Sequence, residues 1–135
     1  MRVAIVSAPA EKKEPPEYVR SLAKGMESMG HRVDIVDIWT EDGMRLPGYE
    51  YIAVAAESLS FFSGQIPSRL SKVLAAGSSL AGRKSAAFVK KQGLFSNRAL
   101  FNLMKVMEKE GMVVNWSDLL LNGPHAEAMG KQIGA

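Results

Sequence analysis

Five short apolar runs alternate with segments whose apolar residues recur every three to four positions, and this alternation restricts the chain to few architectures. Residues 2–8 (RVAIVSA), 32–38 (RVDIVDI), 51–58 (YIAVAAES) and 84–89 (KSAAFV) have the length and small or β-branched content of strands, and MVVNWSDLL at 112–120 starts as a fifth. Between them Val19, Leu22, Ala23, Met26 and Met29 mark an amphipathic helix that Gly30 stops. Leu70, Val73 and Leu74 mark a second, ending in the Gly77 region. Leu100, Leu103, Met104 and Met107 mark a third, capped by Ser96 or Asn97 and closed by Gly111. HAEAMGKQI at 125–133 is a short last helix, and WTEDGMRLPG replaces the helix expected after the second strand. The order β-α-β-β-α-β-α-β-α predicts a mostly parallel sheet with helices on both faces. In such sheets ligands bind outside the carboxyl ends of the strands, near the point where strand order reverses. Function is therefore expected in the loops 7–16, 57–66 and 90–97.

At 135 residues the chain is expected to form one domain over 1–135, and its 47% hydrophobic and 23% charged composition is that of a folded globular protein. It has no cysteine, which excludes disulfides, thiolate catalysis and iron–sulfur ligation. The two histidines, His31 and His125, stand alone in their local sequence, so no metal centre is expected. No apolar run approaches a membrane span, and the first residues enter a strand pattern at once, unlike a signal peptide; a cytoplasmic protein is the expectation. Charge is unevenly divided. Residues 1–67 carry 7 Lys or Arg against 10 Asp or Glu, and residues 68–135 carry 10 against 4. That split would steer an anionic ligand or an acidic partner toward the second half.

Several α/β machineries are missing. There is no Gly-x-x-x-x-Gly-Lys-Ser/Thr phosphate loop, no Gly-x-Gly-x-x-Gly after the first strand and no Gly-x-Ser-x-Gly nucleophile elbow. A phosphoacceptor receiver domain would need acids after strand one and a lysine ending strand five, where this chain has Ser7-Ala8 and Asn115-Trp116. Nucleic-acid binding would rest on the basic second half with Phe61, Phe62 and Phe95, without a legible recognition motif, and is not expected.

The middle of the chain is more specific. Residues 58–67, SLSFFSGQIP, running into SRLSKVL, resemble the flavodoxin family's loop after strand three, commonly Gly-x-Pro-x-Tyr-x-Gly-x-x-Pro, with Phe62, Gly64 and Pro67 at matching places. LAGRKSAAFV at 80–89 resembles the family's approach to strand four, and HAEAMGKQIG its closing helix with an Ala-x-x-x-Gly stretch. The resemblance implies a flavodoxin-like three-layer α/β/α fold with a five-stranded parallel sheet in the order 2-1-3-4-5. It also implies FMN, with its phosphate in the first loop at Ser7, Lys12 and Lys13. The ring would lie between the other two loops, covered by Leu59, Phe61 and Phe62, approached closely at Gly64, met at its pyrimidine edge by Gln92 and Gly93, and flanked by Leu94 or Phe95.

The first loop, SAPAEKKEPP at 7–16, departs from the family's hydroxyl- and glycine-rich Ser/Thr-x-Thr-Gly-x-Thr. Only Ser7 matches. Pro9, Pro15 and Pro16 each remove a backbone donor, and Glu11, Glu14 and Glu17 place negative charge where the phosphate is negative, with Lys12 and Lys13 in partial compensation. Ser58 and Ser60 replace the expected glycine and proline of the second loop. Charge-assisted hydrogen bonds contribute about 1.5–3 kcal/mol each, so losing two or three weakens phosphate binding by several powers of ten. Two functions remain: a weak FMN-binding electron carrier or small flavin reductase with a redox partner, and a non-catalytic flavodoxin-like scaffold that binds a protein partner or another small ligand.

Overall fold

The computed structural model describes residues 1–76 and 79–133. Five strands, β1 (Arg2–Ala8), β2 (Arg32–Asp37), β3 (Tyr51–Ala56), β4 (Lys84–Lys90) and β5 (Val113–Leu120), form one parallel sheet in the order β2-β1-β3-β4-β5. Four α-helices flank it: α1 (Glu17–Ser28), α2 (Arg69–Ala76), α3 (Ser96–Lys109) and α4 (Gly123–Gln132). The expected strand order and layering are those observed. The predicted end of α2 at Gly77 lies outside the described residues, and a short 3-10 turn, Leu46–Gly48, sits in the connector after β2.

Alternation along the central strands divides the core in two. Ala4, Val6, Ile52, Val54, Ala87 and Val89 face α2 and α3, where Leu70, Val73, Leu74, Leu103 and Met107 cover them. Val3, Ile5, Ala53, Ala55, Ala86 and Phe88 face α1 and α4, against Val19, Leu22, Met26 and Ala126. Both faces of β1, β3 and β4 are thus buried, which is why these strands read as unbroken apolar runs. The edge strand β5 keeps Val113 and Trp116 exposed, carries polar residues at alternate places, and takes a register irregularity opposite Ser85 and Ala86.

Helices α1 and α4 touch at their backbones. A Cβ on Gly25 would lie 2.1 Å from the Glu127 carbonyl oxygen, and one on Gly130 would lie 2.3 Å from that of Leu22. Glycine on both helices is what permits this approach, since any side chain there would overlap main-chain atoms. The Gly of the Ala-x-x-x-Gly stretch is therefore a packing residue. His31 joins the chain ends, with Nδ1 3.2 Å from the Met1 amine and Nε2 2.9 Å from the Ile133 carbonyl. Among the described residues no helix is long and apolar enough to cross a membrane.

Candidate functional site

Strand order reverses between β1 and β3, and the ends of these two strands hold a buried carboxylate. Glu57 follows β3 directly, its backbone N–H donating to the Ala8 carbonyl at 3.0 Å. Its Oε1 accepts from the Ala10 N–H at 3.0 Å and from Lys13 Nζ at 3.1 Å, and its Oε2 accepts from the Tyr18 hydroxyl at 3.1 Å. Burial by itself would raise the Glu57 pKa, but the Ala10 N–H, the Lys13 ammonium and the Tyr18 hydroxyl together outweigh it and hold the carboxyl below its ordinary value. The Tyr18 phenol is pushed up strongly by burial and by the neighbouring carboxylate.

The loop over this seat is fastened at two more points. Trp39 Nε1 donates to the Pro9 carbonyl at 3.0 Å, and the Arg20 guanidinium bonds the Pro15 carbonyl. Helix α1 begins after Pro16, whose carbonyl accepts from Val19 N–H at 3.0 Å, with no side chain capping the first turn. Ser7 is fully buried at the end of β1, and its hydroxyl has no partner among the described residues. Lys12 points to solvent, whereas Lys13 is turned inward onto Glu57.

The second and third loops meet each other. Gln92 Nε2 donates to the Ser58 carbonyl at 3.1 Å and lies 3.2 Å from the Ser58 hydroxyl. Gly93 adopts φ +65°, and a Cβ there would lie 2.2 Å from the Phe61 carbonyl oxygen, so backbone rests on backbone. Leu59 N–H closes the second loop onto the Gln65 carbonyl at 2.9 Å. Leu59, Phe61, Phe62 and Leu94 are exposed at the rim, Phe62 at 81% and Leu94 at 83%. Phe95 is half-buried beneath the Arg98 guanidinium, 5.7 Å from the ring centroid.

One local expectation is corrected here. Neither Ser96 nor Asn97 caps α3: Phe95 is the capping residue and makes no side-chain cap. The Ser96 hydroxyl instead accepts from the Gln92 N–H at 2.9 Å and donates to the Gln92 carbonyl at 2.8 Å, tying the helix start to the third loop. Gly64 lies against the Arg98 stem, and its carbonyl accepts from Asn102 Nδ2 at 2.8 Å.

The sequence-predicted residues thus fall into two groups, one under the first loop (Ser7, Lys13) and one where the other two loops meet (Leu59, Phe61, Phe62, Gly64, Gln92, Gly93, Leu94, Phe95). Glu57, Tyr18 and Trp39 escape a reading by motif. The available signal was an acid ending a strand that is otherwise wholly apolar, at the position where strand order reverses.

The architecture is that of solved flavodoxins. Oxidised flavodoxin 1 from Bacillus cereus superposes with a TM-score of 0.72 at 15% identity, covering 96% of this chain and 95% of that one. Two-electron reduced flavodoxin from Megasphaera elsdenii gives 0.71 at 14% identity over 96% of each chain. A flavodoxin from the domain Archaea gives 0.69 at 15% identity, covering 98% of this chain and 96% of that one. No protein-family model matches the sequence, and no curated protein does. The chain has the flavodoxin-like fold.

Proposed function

We propose that this chain is a non-catalytic binding domain on a flavodoxin-like fold, whose strand-end surface engages a protein partner and whose phosphate seat is taken by its own Glu57. The carrying observation is the set of donors around that carboxylate. Ala10 N–H, Lys13 and the Tyr18 hydroxyl lie at the switch point of the sheet, where an anionic ligand would need them, and all three already bond Glu57. A phosphate brought to the same place would face a like charge, a repulsion of about 4 kcal/mol at 4 Å for an effective dielectric of about 20. Pro9, Pro15 and Pro16 offer no replacement donors. On the ring side, the Gln92 amide and the Gly93 backbone hold the two loops against one another. The Glu57 carboxylate and the closed junction of the two loops weigh against FMN.

Titration with FMN tests the reading. The expected result is unchanged flavin fluorescence and no yellow protein-bound fraction up to millimolar FMN; saturable binding overturns it. The second reading, a weak FMN-dependent electron carrier, draws support from the unpartnered Ser7 hydroxyl and from the exposure of Phe62 and Leu94 on neighbouring loops. When bound, the flavin would supply the electron transfer. The same titration decides between the two.

A further inference from the structure

Residues 58–107 contain eight Lys or Arg and no Asp or Glu. Within that stretch the second loop and α3 enclose an open groove of about 550 Å³, lined by Phe62, Gly64, Gln65, Arg98, Phe101 and Asn102. Its two phenylalanines stand in solvent, Phe62 at 81% and Phe101 at 61% exposure. Its floor is fixed, because Asn102 Nδ2 bonds the Gly64 carbonyl at 2.8 Å and a Cβ on Gly64 would meet Arg98 Cγ at 2.4 Å. Cations stand over aromatic faces at the rim: Arg98 over Phe95, and Lys105 5.2 Å from the Phe101 centroid. Among the described residues neither Arg98 nor Lys105 pairs with a carboxylate.

We infer that this groove docks an acidic, apolar segment of a partner protein, with apolar side chains between Phe62 and Phe101 and carboxylates facing Arg98 and Lys105. Exposed aromatic surface beside arginine is the composition of binding hot spots, and a stretch from 58 to 107 with cations and no acid favours a partner of opposite charge. A nucleic acid would need a row of cations along its phosphates. Here Arg98 and Lys105 each stand over an aromatic ring. The inference rests on the binding-domain reading and names the partner's chemistry.

A random displayed-peptide library selected against the full chain tests it. Recovered peptides should carry Asp or Glu beside Phe, Leu or Trp, and their affinity, read by fluorescence anisotropy, should fall with added salt. Arg98→Glu and Phe101→Ala should each weaken binding about tenfold or more, with the circular dichroism spectrum unchanged in both and the thermal midpoint unchanged in Phe101→Ala, whose side chain is exposed. Absence of enrichment, enrichment of basic or uncharged peptides, indifference to both substitutions, or tighter binding of oligothymidylate overturns the proposal. Arg98 and Phe101 lie outside the flavin candidate set. FMN titration of the unmodified chain therefore judges the binding-domain reading independently of the peptide result.

Discussion

The Tyr18 hydroxyl, on the first turn of α1, donates to Glu57 Oε2 at 3.1 Å and so fastens the first helix to the end of β3 across 39 positions of sequence. Because the acceptor is charged and buried, this bond and the one from Ala10 stabilise the fold more than an exposed pair would. Lys13 adds less, since its side chain is 43% exposed and solvent screens the pair. Tyr18→Phe should lower unfolding free energy by about 1.5 kcal/mol and Glu57→Gln by about 1.5–3 kcal/mol. Urea denaturation should show lower midpoints at constant slope. The double variant should lose less than the two single losses combined, the sign of a shared contact.

Stability should also depend on pH through Glu57. Its folded pKa lies below its unfolded value of about 4.3, so the carboxylate's contribution is fully present above that value and is lost as pH falls through the folded pKa. Unfolding free energy should therefore decline below about pH 5, and Glu57→Gln should flatten that limb. An acid limb of equal slope in the variant would assign the decline to other carboxylates.

Ser7→Ala separates the two functional readings. A buried hydroxyl without a partner costs about 1–3 kcal/mol, so its removal should raise stability by about 1 kcal/mol. If a flavin phosphate used that hydroxyl, the same change would weaken FMN binding. Melting curves with and without FMN read both effects.

Legibility in the sequence followed burial. Strands β1, β3 and β4, covered on both faces, could be read nearly to the residue, whereas β5 fades after Val114 because its edge position leaves Asn115, Trp116 and Ser117 exposed. The loops 7–16, 57–66 and 90–97 were located by topology alone. What a string of residues does not display is long-range pairing. Glu57 in YIAVAAES looks like a solvated strand end, and only the folded chain brings Ala10, Lys13 and Tyr18 to it. Gly25, placed within a helical pattern, is the visible half of the α1–α4 contact; its counterpart Gly130 lies more than a hundred residues away.

That contact gives a steric prediction. Gly130→Ala places a methyl group into the Leu22 carbonyl at 2.3 Å, and the helices must separate. Overpacking of this kind costs about 1–3 kcal/mol, visible as a lower thermal midpoint. Gly48→Ala serves as the control, since nothing lies within 4 Å of the added atom. Equal stability of Gly130→Ala and the parent would contradict the backbone contact.

The junction between the second and third loops can be loosened without touching the core. Gln92→Ala removes the donor to the Ser58 carbonyl and hydroxyl but keeps the Gln92 backbone bond to Ser96. One lost hydrogen bond of about 1 kcal/mol should speed amide exchange in 59–65 and 91–95 by about fivefold. Global unfolding should stay within about 0.5 kcal/mol of the parent, because Gln92 is half-buried and outside both core clusters. The variant also tests what closes the surface to a flat ring. If the Gln92 bridge keeps the loops together, loosening it should let riboflavin bind the variant more tightly than it binds the parent, while FMN, still facing Glu57, gains less. Equal gains for riboflavin and FMN would mean that Glu57 is no obstacle to a phosphate.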